Sequence, residues 1–215
     1  MKQKRLEAIC SYLTNQDKII DVGCDHAYVC IEMSKRGAKK IIASDIHPNA
    51  LKMARENIKK SGQKIELICS DGLKEIDTTN YDTLILAGMG ANTILHILDN
   101  PEKRHPIQKI IIQSNNHLKE IRKRVNQFGY ILKEETIVFE KSHYYTIMKW
   151  EKGTQKLTKL EQNLGLWNQA NASYYQDLWD KLESIRKKIP KRKWIQKYKL
   201  KKEQKELQKY LKKTN

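Results

Sequence analysis

The sequence predicts an α/β fold: a doubly wound, mostly parallel sheet followed by a C-terminal antiparallel helical hairpin. Three observations carry the prediction. Five short β-branched runs alternate with helical stretches between Lys18 and Gln113, which is the pattern of a parallel sheet covered on both faces. Acidic residues or glycines follow the first four of those runs, where open α/β sheets bind ligands. Beyond Gly153 the composition turns basic and helical.

The five runs are 18–21, 40–45, 65–68, 83–87 and 109–113. Between the second and third, Pro48 suits the first position of a helix, Leu51, Ala54 and Ile58 share a face, and Gly62 stands where the helix should end. After the fifth, residues 117–128 read as a helix. Residues 130–139 and 144–150 read as two strands joined by a short polar turn, an antiparallel pair that completes the sheet.

The expected division is a Rossmann-like catalytic domain over 1–153 and a basic, coiled-coil-like helical domain over 154–215. The second part holds 17 Lys and Arg against 6 Asp and Glu, a net of +11, which leaves +6 of the total +17 for the first part. Tyr174, Leu178, Leu182 and Ile185 step by four, four and three, and Leu200, Leu207 and Leu211 by seven and four. Pro190 lies between the series and should end the first helix. Two antiparallel helices result, with Arg186, Lys187, Lys188, Lys191, Arg192 and Lys193 crowded at the turn as the expected RNA-binding set.

The charge gives the chain a positive field that calls for an anionic partner, nucleic acid first. No apolar run is long enough to span a bilayer and no apolar signal segment follows Met1, so a cytoplasmic protein acting as a monomer, without a membrane partner, is expected. Cys10, Cys24, Cys30 and Cys69 include no Cys-x-x-Cys pair. They read as reduced thiols, most of them buried, and no metal is expected.

The stretch from Asp21 to Tyr28 follows the first strand and leads into a helix, with Gly23 where the backbone must turn closely. Asp45 ends the second strand, where a carboxylate can accept bonds from both hydroxyls of a ribose. Asp71 and Gly72 follow the third, within reach of an adenine amino group. Gly88, Met89 and Gly90 follow the fourth and let backbone border a ligand. Any of Asp21, Asp45 and Asp71 alone also reads as a helix cap; the ordered set is the more specific signal.

A pyrophosphate needs a glycine-rich turn that presents N–H groups at a helix N-terminus. This loop has one glycine and then Cys24, Asp25 and His26, which sets a negative charge where phosphates would lie. S-adenosylmethionine has no phosphate and carries a sulfonium and an ammonium, which Asp21 and Asp25 suit better. An NAD-dependent oxidoreductase is the alternative that this loop disfavours. A non-enzymatic RNA-binding protein would leave the ordered acidic positions unexplained. A methyltransferase acting on another RNA site, a protein or a small molecule is the nearer rival, disfavoured by the basic tail.

With the residues from Asp21 to Tyr28, the stretch Ala87-Gly88-Met89-Gly90, the pair Gln113 and Asn115, and Tyr144-Tyr145 in view, the chain resembles the bacterial TrmK family over nearly its whole length. That resemblance implies a class I S-adenosylmethionine-dependent methyltransferase fold with a coiled-coil-like C-terminal domain, and methylation of N1 of adenine at tRNA position 22, with S-adenosylmethionine as cofactor and tRNA as partner. Two positions depart from the family pattern: Ala91 stands where a glycine is usual after Gly-Met-Gly, and Ser114 where a proline is usual between Gln113 and Asn115.

N1 of neutral adenine has a lone pair, so transfer is a direct in-line displacement for which the protein supplies alignment and a suitable charge environment. The absence of a Pro-Cys pair agrees, because methylation at C5 of a pyrimidine needs a nucleophilic thiol. The expected catalytic residues are Asp25, taking a proton from the amino group or stabilising a cationic product, Tyr28, stacking on the base, and Asn115, bonding its edge. The expected cofactor contacts are Asp21, Gly23, Asp25, His26, Asp45, Asp71, Gly72, Gly88, Met89 and Gly90. Each also has a bland reading as a local turn or cap. His26 lacks a second ligand at helical spacing and is not read as a zinc ligand.

Overall fold

The computed structural model describes residues 4–190 and 192–212. Seven strands, β1 (Ile19–Val22), β2 (Ile41–Asp45), β3 (Glu66–Cys69), β4 (Thr83–Ala87), β5 (Lys109–Ser114), β6 (Tyr130–Glu140) and β7 (His143–Lys152), form one sheet. Their order is β3-β2-β1-β4-β5-β7-β6. The first five are parallel, and β7 runs antiparallel between β5 and β6. The order reverses between β1 and β4, which places a crevice beyond the carboxyl ends of those two strands.

Side chains alternate along a strand, so each strand feeds two cores. On one face Ile19, Ile41, Ile85 and Ile111 pack with α1 (Lys4–Ser11), α2 (Tyr28–Lys35) and α3 (Pro48–Ser61). On the other, Ile20, Leu84, Leu86, Ile110, Ile112 and Trp150 pack with α4 (Ala91–Leu98) and α6 (Leu118–Gln127), with the short α5 (Pro101–Arg104) between these helices in the chain. The crossover helix begins at Pro48 and ends at Gly62, whose φ of 70° closes it. Lys141 and Ser142, both with positive φ, make the tight turn between β6 and β7.

The C-terminal region comprises α7 (Lys159–Leu164), a short 3₁₀ turn at Gln169–Asn171, α8 (Ala172–Lys188) and α9 (Trp194–Leu211). Thr158 and Glu161 form a capping box at the start of α7. The Tyr175 and Tyr210 rings meet at 5.1 Å, and Gln204 donates to Glu183 at 2.8 Å, so α9 runs back along α8. The buried seam is Tyr175, Leu207 and Tyr210, while Tyr174, Leu178 and Leu182 are half-buried and Ile185 is exposed. Leu160, Leu164 and Trp167 of the α7 segment cover this end of the seam, and Tyr175 and Tyr210 donate to the Leu166 and Gly165 carbonyls, whereas Ile185, further along α8, is exposed. Helix α8 stops at Lys188, ahead of Pro190. Lys191 lies outside the described residues.

The packing change does not coincide with the charge change near Gly153. Leu157 and Leu166 belong to the core under α6 and β7. Arg122 of α6 and Glu135 of β6 form a buried bidentate ion pair, with N···O distances of 2.9 and 2.8 Å. Arg122 also donates to the carbonyls of Gln162 and Asn163. Asn171 bonds the backbone of Glu135 and Ile137. Gly165 is required beside this hub, because a Cβ there would fall on the Glu135 carboxylate.

Candidate functional site

The strand register aligns Val22 with Ser44 and Leu86, Asp45 with Cys69, and Ala87 with Gln113. The loops that begin at Gly23, Ile46, Ser70, Gly88 and Asn115 therefore leave the sheet along one rim. Gly23 and Cys24 donate their N–H groups to the Ser44 carbonyl at 2.8 and 2.9 Å, fixing the first loop over β2. Gly23 has a φ of +76°, and a Cβ on it would lie 2.7 Å from the Met89 Cε. The left-handed backbone is what favours glycine there, since the flexible end of Met89 can move aside.

Two non-glycine residues in this loop also have left-handed backbone, Asp25 at φ 47° and Ala27 at φ 56°. Aspartate tolerates that region, whereas alanine in it costs on the order of 1–2 kcal/mol. Strain of this kind concentrates at functional loops. The Asp25 N–H reaches Asp45 Oδ2 at 3.3 Å, and the His47 N–H reaches Asp45 Oδ1 at 2.9 Å. The Asp45 carboxylate is thereby held by both neighbouring loops with lone pairs left for a diol.

Asp21 points to the α2 face and is 4% exposed. Its one side-chain partner among the described residues is the Cys30 thiol, which donates at 3.3 Å. Burial, reinforced by the Asp45 charge and only partly offset by the thiol, pushes its carboxyl up to about 6. A carboxyl kept without a cation at the end of β1 suits a cationic ligand. Burial and the nearby carboxylates Asp21, Asp45 and Asp25 push the Cys24 thiol well above its usual range, so it stays neutral and is a poor nucleophile.

Asp25, His26 and Tyr28 cluster at the rim. His26 Nε2 lies 3.6 Å from Asp25 Oδ2, and the His26 and Tyr28 rings are 5.4 Å apart. Across the crevice, Gln113 Nε2 donates to Asn115 Oδ1 at 2.9 Å, turning the Asn115 amide N–H groups outward. Ser114 Oγ donates to the Met89 carbonyl at 3.3 Å, and Asn116 Oδ1 accepts from the Ala91 N–H at 3.3 Å. Serine at 114 thus ties the β4 and β5 loops together. Ala91 is the first residue of α4, preceded by Gly90 at the N-cap, and has no positive φ, so its Cβ is accommodated.

The structure brings Asp21, Gly23, Asp25, His26, Asp45, Gly88, Met89, Gly90 and Asn115 to one rim. Asp71 and Gly72 have other engagements there. Lys74 pairs with Asp71 and holds its carboxyl below the usual range, and Gly72 is needed because a Cβ would crowd Ile97 at 3.0 Å. Of the basic residues at the helical turn, Arg186 and Lys187 pair with Glu183 at 2.8 and 3.7 Å.

Three features escaped the sequence reading. Ile46 is 51% exposed directly after Asp45, and an apolar residue opening a polar loop was an available signal. Gln113 orients Asn115. Trp194, Ile195 and Tyr198 are all exposed at the basic turn; their apolar character was legible, but their outward facing was not.

Among the described residues no group of three His, Cys, Asp or Glu could hold a metal ion, and no helix is long and apolar enough to cross a membrane. S-adenosylmethionine fits the residues present. Among the described residues Asp21 has no cation beside it, Asp45 keeps lone pairs for a ribose, and two buried polar atoms, His26 Nδ1 on the first loop and Gln113 Oε1 near the end of β5, have no hydrogen-bond partner.

A family model described as a methyltransferase domain matches residues 2–148. The tRNA (adenine(22)-N(1))-methyltransferase of Bacillus subtilis (strain 168) is 32% identical over 154 residues, which span 70% of this chain and 65% of that protein. TrmK of M. capricolum in complex with S-adenosyl-homocysteine superposes with a TM-score of 0.84 at 28% identity, covering 100% of both chains. Sp1610 of Streptococcus pneumoniae superposes at 0.90 with 27% identity, covering 98% of this chain and 100% of that one. In complex with S-adenosyl-L-methionine it superposes at 0.85 with 26% identity and the same coverage.

Proposed function

The chain belongs to the methyltransferase-domain family, and from that premise we propose that it is a TrmK-type enzyme that transfers a methyl group from S-adenosylmethionine to N1 of adenine 22 in tRNA. The observation that carries the reading is Asp21, a buried carboxyl with no cation beside it among the described residues, set beneath a strained loop that shares Asp45 with the next strand. The likeness to the B. subtilis enzyme and to TrmK of M. capricolum supports the substrate.

The cofactor supplies a methyl group on a sulfonium. Asp45 would accept hydrogen bonds from the ribose hydroxyls, Ile46 would offer an apolar surface to the adenine of the cofactor, and Asp21 would balance the cofactor's positive charge. Gly23, Gly88, Met89 and Gly90 border it with backbone, while His26 lends its free ring nitrogen. Asp71 and Gly72 shape the adenine end. Tyr28, 47% exposed at the rim, stacks on the target base. Asn115, fixed by Gln113, donates to the edge of that base. Asp25 takes a proton from the amino group or balances the charge that develops on the ring. The target base must leave its stack to reach these groups.

In this reading residues 1–153 are the catalytic unit and the basic, coiled-coil-like helices of 154–215 hold the RNA. Lys187, Lys188, Lys191, Arg192 and Lys193 contact phosphates, with Arg186 acting mainly on Glu183. The enzyme works as a monomer in the cytoplasm. Incubating the protein with labelled cofactor and unmodified total tRNA, then mapping the modified base, tests the proposal. The expected product is N1-methyladenine at position 22; a label elsewhere, or none, overturns it.

A further inference from the structure

Most aromatic rings of the C-terminal helices turn inward or along the seam. Tyr174, Tyr175, Trp179 and Tyr210 pack in one cluster with Trp167. Trp194 and Tyr198, at the start of α9, do the opposite: they are 67% and 65% exposed. Among the described residues no ring contact or hydrogen bond engages either side chain. Four residues apart, they stand on one helical face. Exposed rings of this size at a helix tip call for an occupant.

The surrounding charge selects it. Between Glu183 and Glu203 the sequence holds ten Lys and Arg and no Asp or Glu. A second copy of the chain would bring like charge against like charge. A lipid surface needs an apolar face sustained over several turns, whereas the face opened by Trp194 and Tyr198 continues, at seven, eight and eleven residues on, into exposed Lys201, Lys202 and Lys205. Aromatic rings interleaved with lysines match unpaired nucleotides, whose bases stack while their phosphates meet the cations. A paired helix hides its base faces and offers only phosphates and groove edges.

We propose that Trp194 and Tyr198 form a stacking platform for unpaired bases of the RNA substrate, so that the helical tip selects single-stranded segments of tRNA and not merely negative charge. This rests on the tRNA-methyltransferase reading above. Each stacked ring contributes roughly tenfold in affinity, and stacking releases no counterions, so its loss leaves the salt dependence unchanged.

The test uses the full chain, with Trp194→Ala/Tyr198→Ala and Trp194→Phe/Tyr198→Phe double variants. Anisotropy titrations measure binding of unmodified tRNA, a short unstructured RNA strand and a perfect RNA duplex of the same length across a range of salt. Circular dichroism checks that the helices persist. The alanine pair is expected to lose at least about tenfold for the strand and for tRNA, at an unchanged salt slope, with duplex binding untouched. The phenylalanine pair is expected to restore most of the loss. Equal affinity of the alanine pair and the wild type overturns the platform, as does a loss shared equally by the duplex. Preferential binding of anionic vesicles, or a dimer that the alanine pair abolishes, also overturns it by naming another occupant. If the wild type methylates tRNA and the alanine pair does so with unchanged KM, the platform fails alone; if the wild type does not methylate tRNA, the functional reading fails first.

Discussion

Asp21→Asn separates what the fold prefers from what the ligand needs. The carboxyl is held at about 6 in the folded chain against an ordinary 3.8, a rise of about two units that corresponds to about 3 kcal/mol. The folded state binds this proton more tightly than the unfolded chain. The stability contributed by the neutral group is therefore fully present below about pH 4 and is lost as the pH rises through about 6. Above that window the wild type carries a buried carboxylate whose one side-chain partner among the described residues is a thiol. Asparagine cannot ionise, and whatever its amide costs in that site does not change with pH. Urea unfolding of the cofactor-free proteins should show the variant gaining on the wild type by a little over 1 kcal/mol between pH 5 and 7.

The same variant should bind S-adenosylmethionine about tenfold more weakly at pH 7.5, having lost a charged partner. A cation above Asp21 also lowers its pKa, so the wild type should release a proton on binding near pH 6. Calorimetry in buffers of different ionisation heat detects that proton, and Asp21→Asn should show none. Parallel stability curves, together with unchanged affinity and no proton release in the wild type, would refute the assignment of Asp21 to the cation.

Asp45→Ala should weaken the cofactor by at least about tenfold with the fold intact, as read by calorimetry and circular dichroism. Asp25→Asn and Tyr28→Ala should lower the single-turnover rate at saturating cofactor more than they lower cofactor affinity; normal rates in both would reduce the loop to a cofactor clamp. Replacing Lys187, Lys188, Arg192 and Lys193 together by Ala should weaken tRNA binding and flatten its salt dependence, and an unchanged slope would remove these residues from the phosphate contacts. Arg122→Met should cost about 3–5 kcal/mol by leaving Glu135 buried without its partner, while Arg122→Met/Glu135→Leu should recover most of that in urea melts.

The parallel strands were legible because a buried strand needs apolar β-branched residues on both faces, and that signature is local. The loop positions of Gly23 and Asp45 followed from strand ends and the rule that ligands sit beyond them. The left-handed backbone at Ala27 was not legible, since nothing in an alanine announces a φ that the packing of two loops imposes. Nor was the Lys74 hold on Asp71, which depends on how the loop after β3 closes. Tyr175 rather than Tyr174 faces the seam because the helical stripe defines a direction only to within about one residue, and the partner helix chooses among neighbours.

The charge boundary and the packing boundary answer different physical demands, which is why one could not be read from the other. Net charge changes near Gly153, where the proposed RNA-binding surface begins. Apolar contact with the sheet continues through Leu157 and Leu166, and Arg122 reaches into the carbonyls of Gln162 and Asn163 while pairing with Glu135. An arginine shared in this way fixes the root of the helical region to the strand pair that closes the sheet. A truncation after Gly153 would uncover the Leu157 site and leave the Arg122 guanidinium short of two acceptors, so lost RNA binding in such a fragment would mix two causes. Removing charge or rings at the tip, where Lys187, Lys188, Trp194 and Tyr198 are exposed, leaves that root intact and so tests the proposed hold of the tip on the RNA by itself.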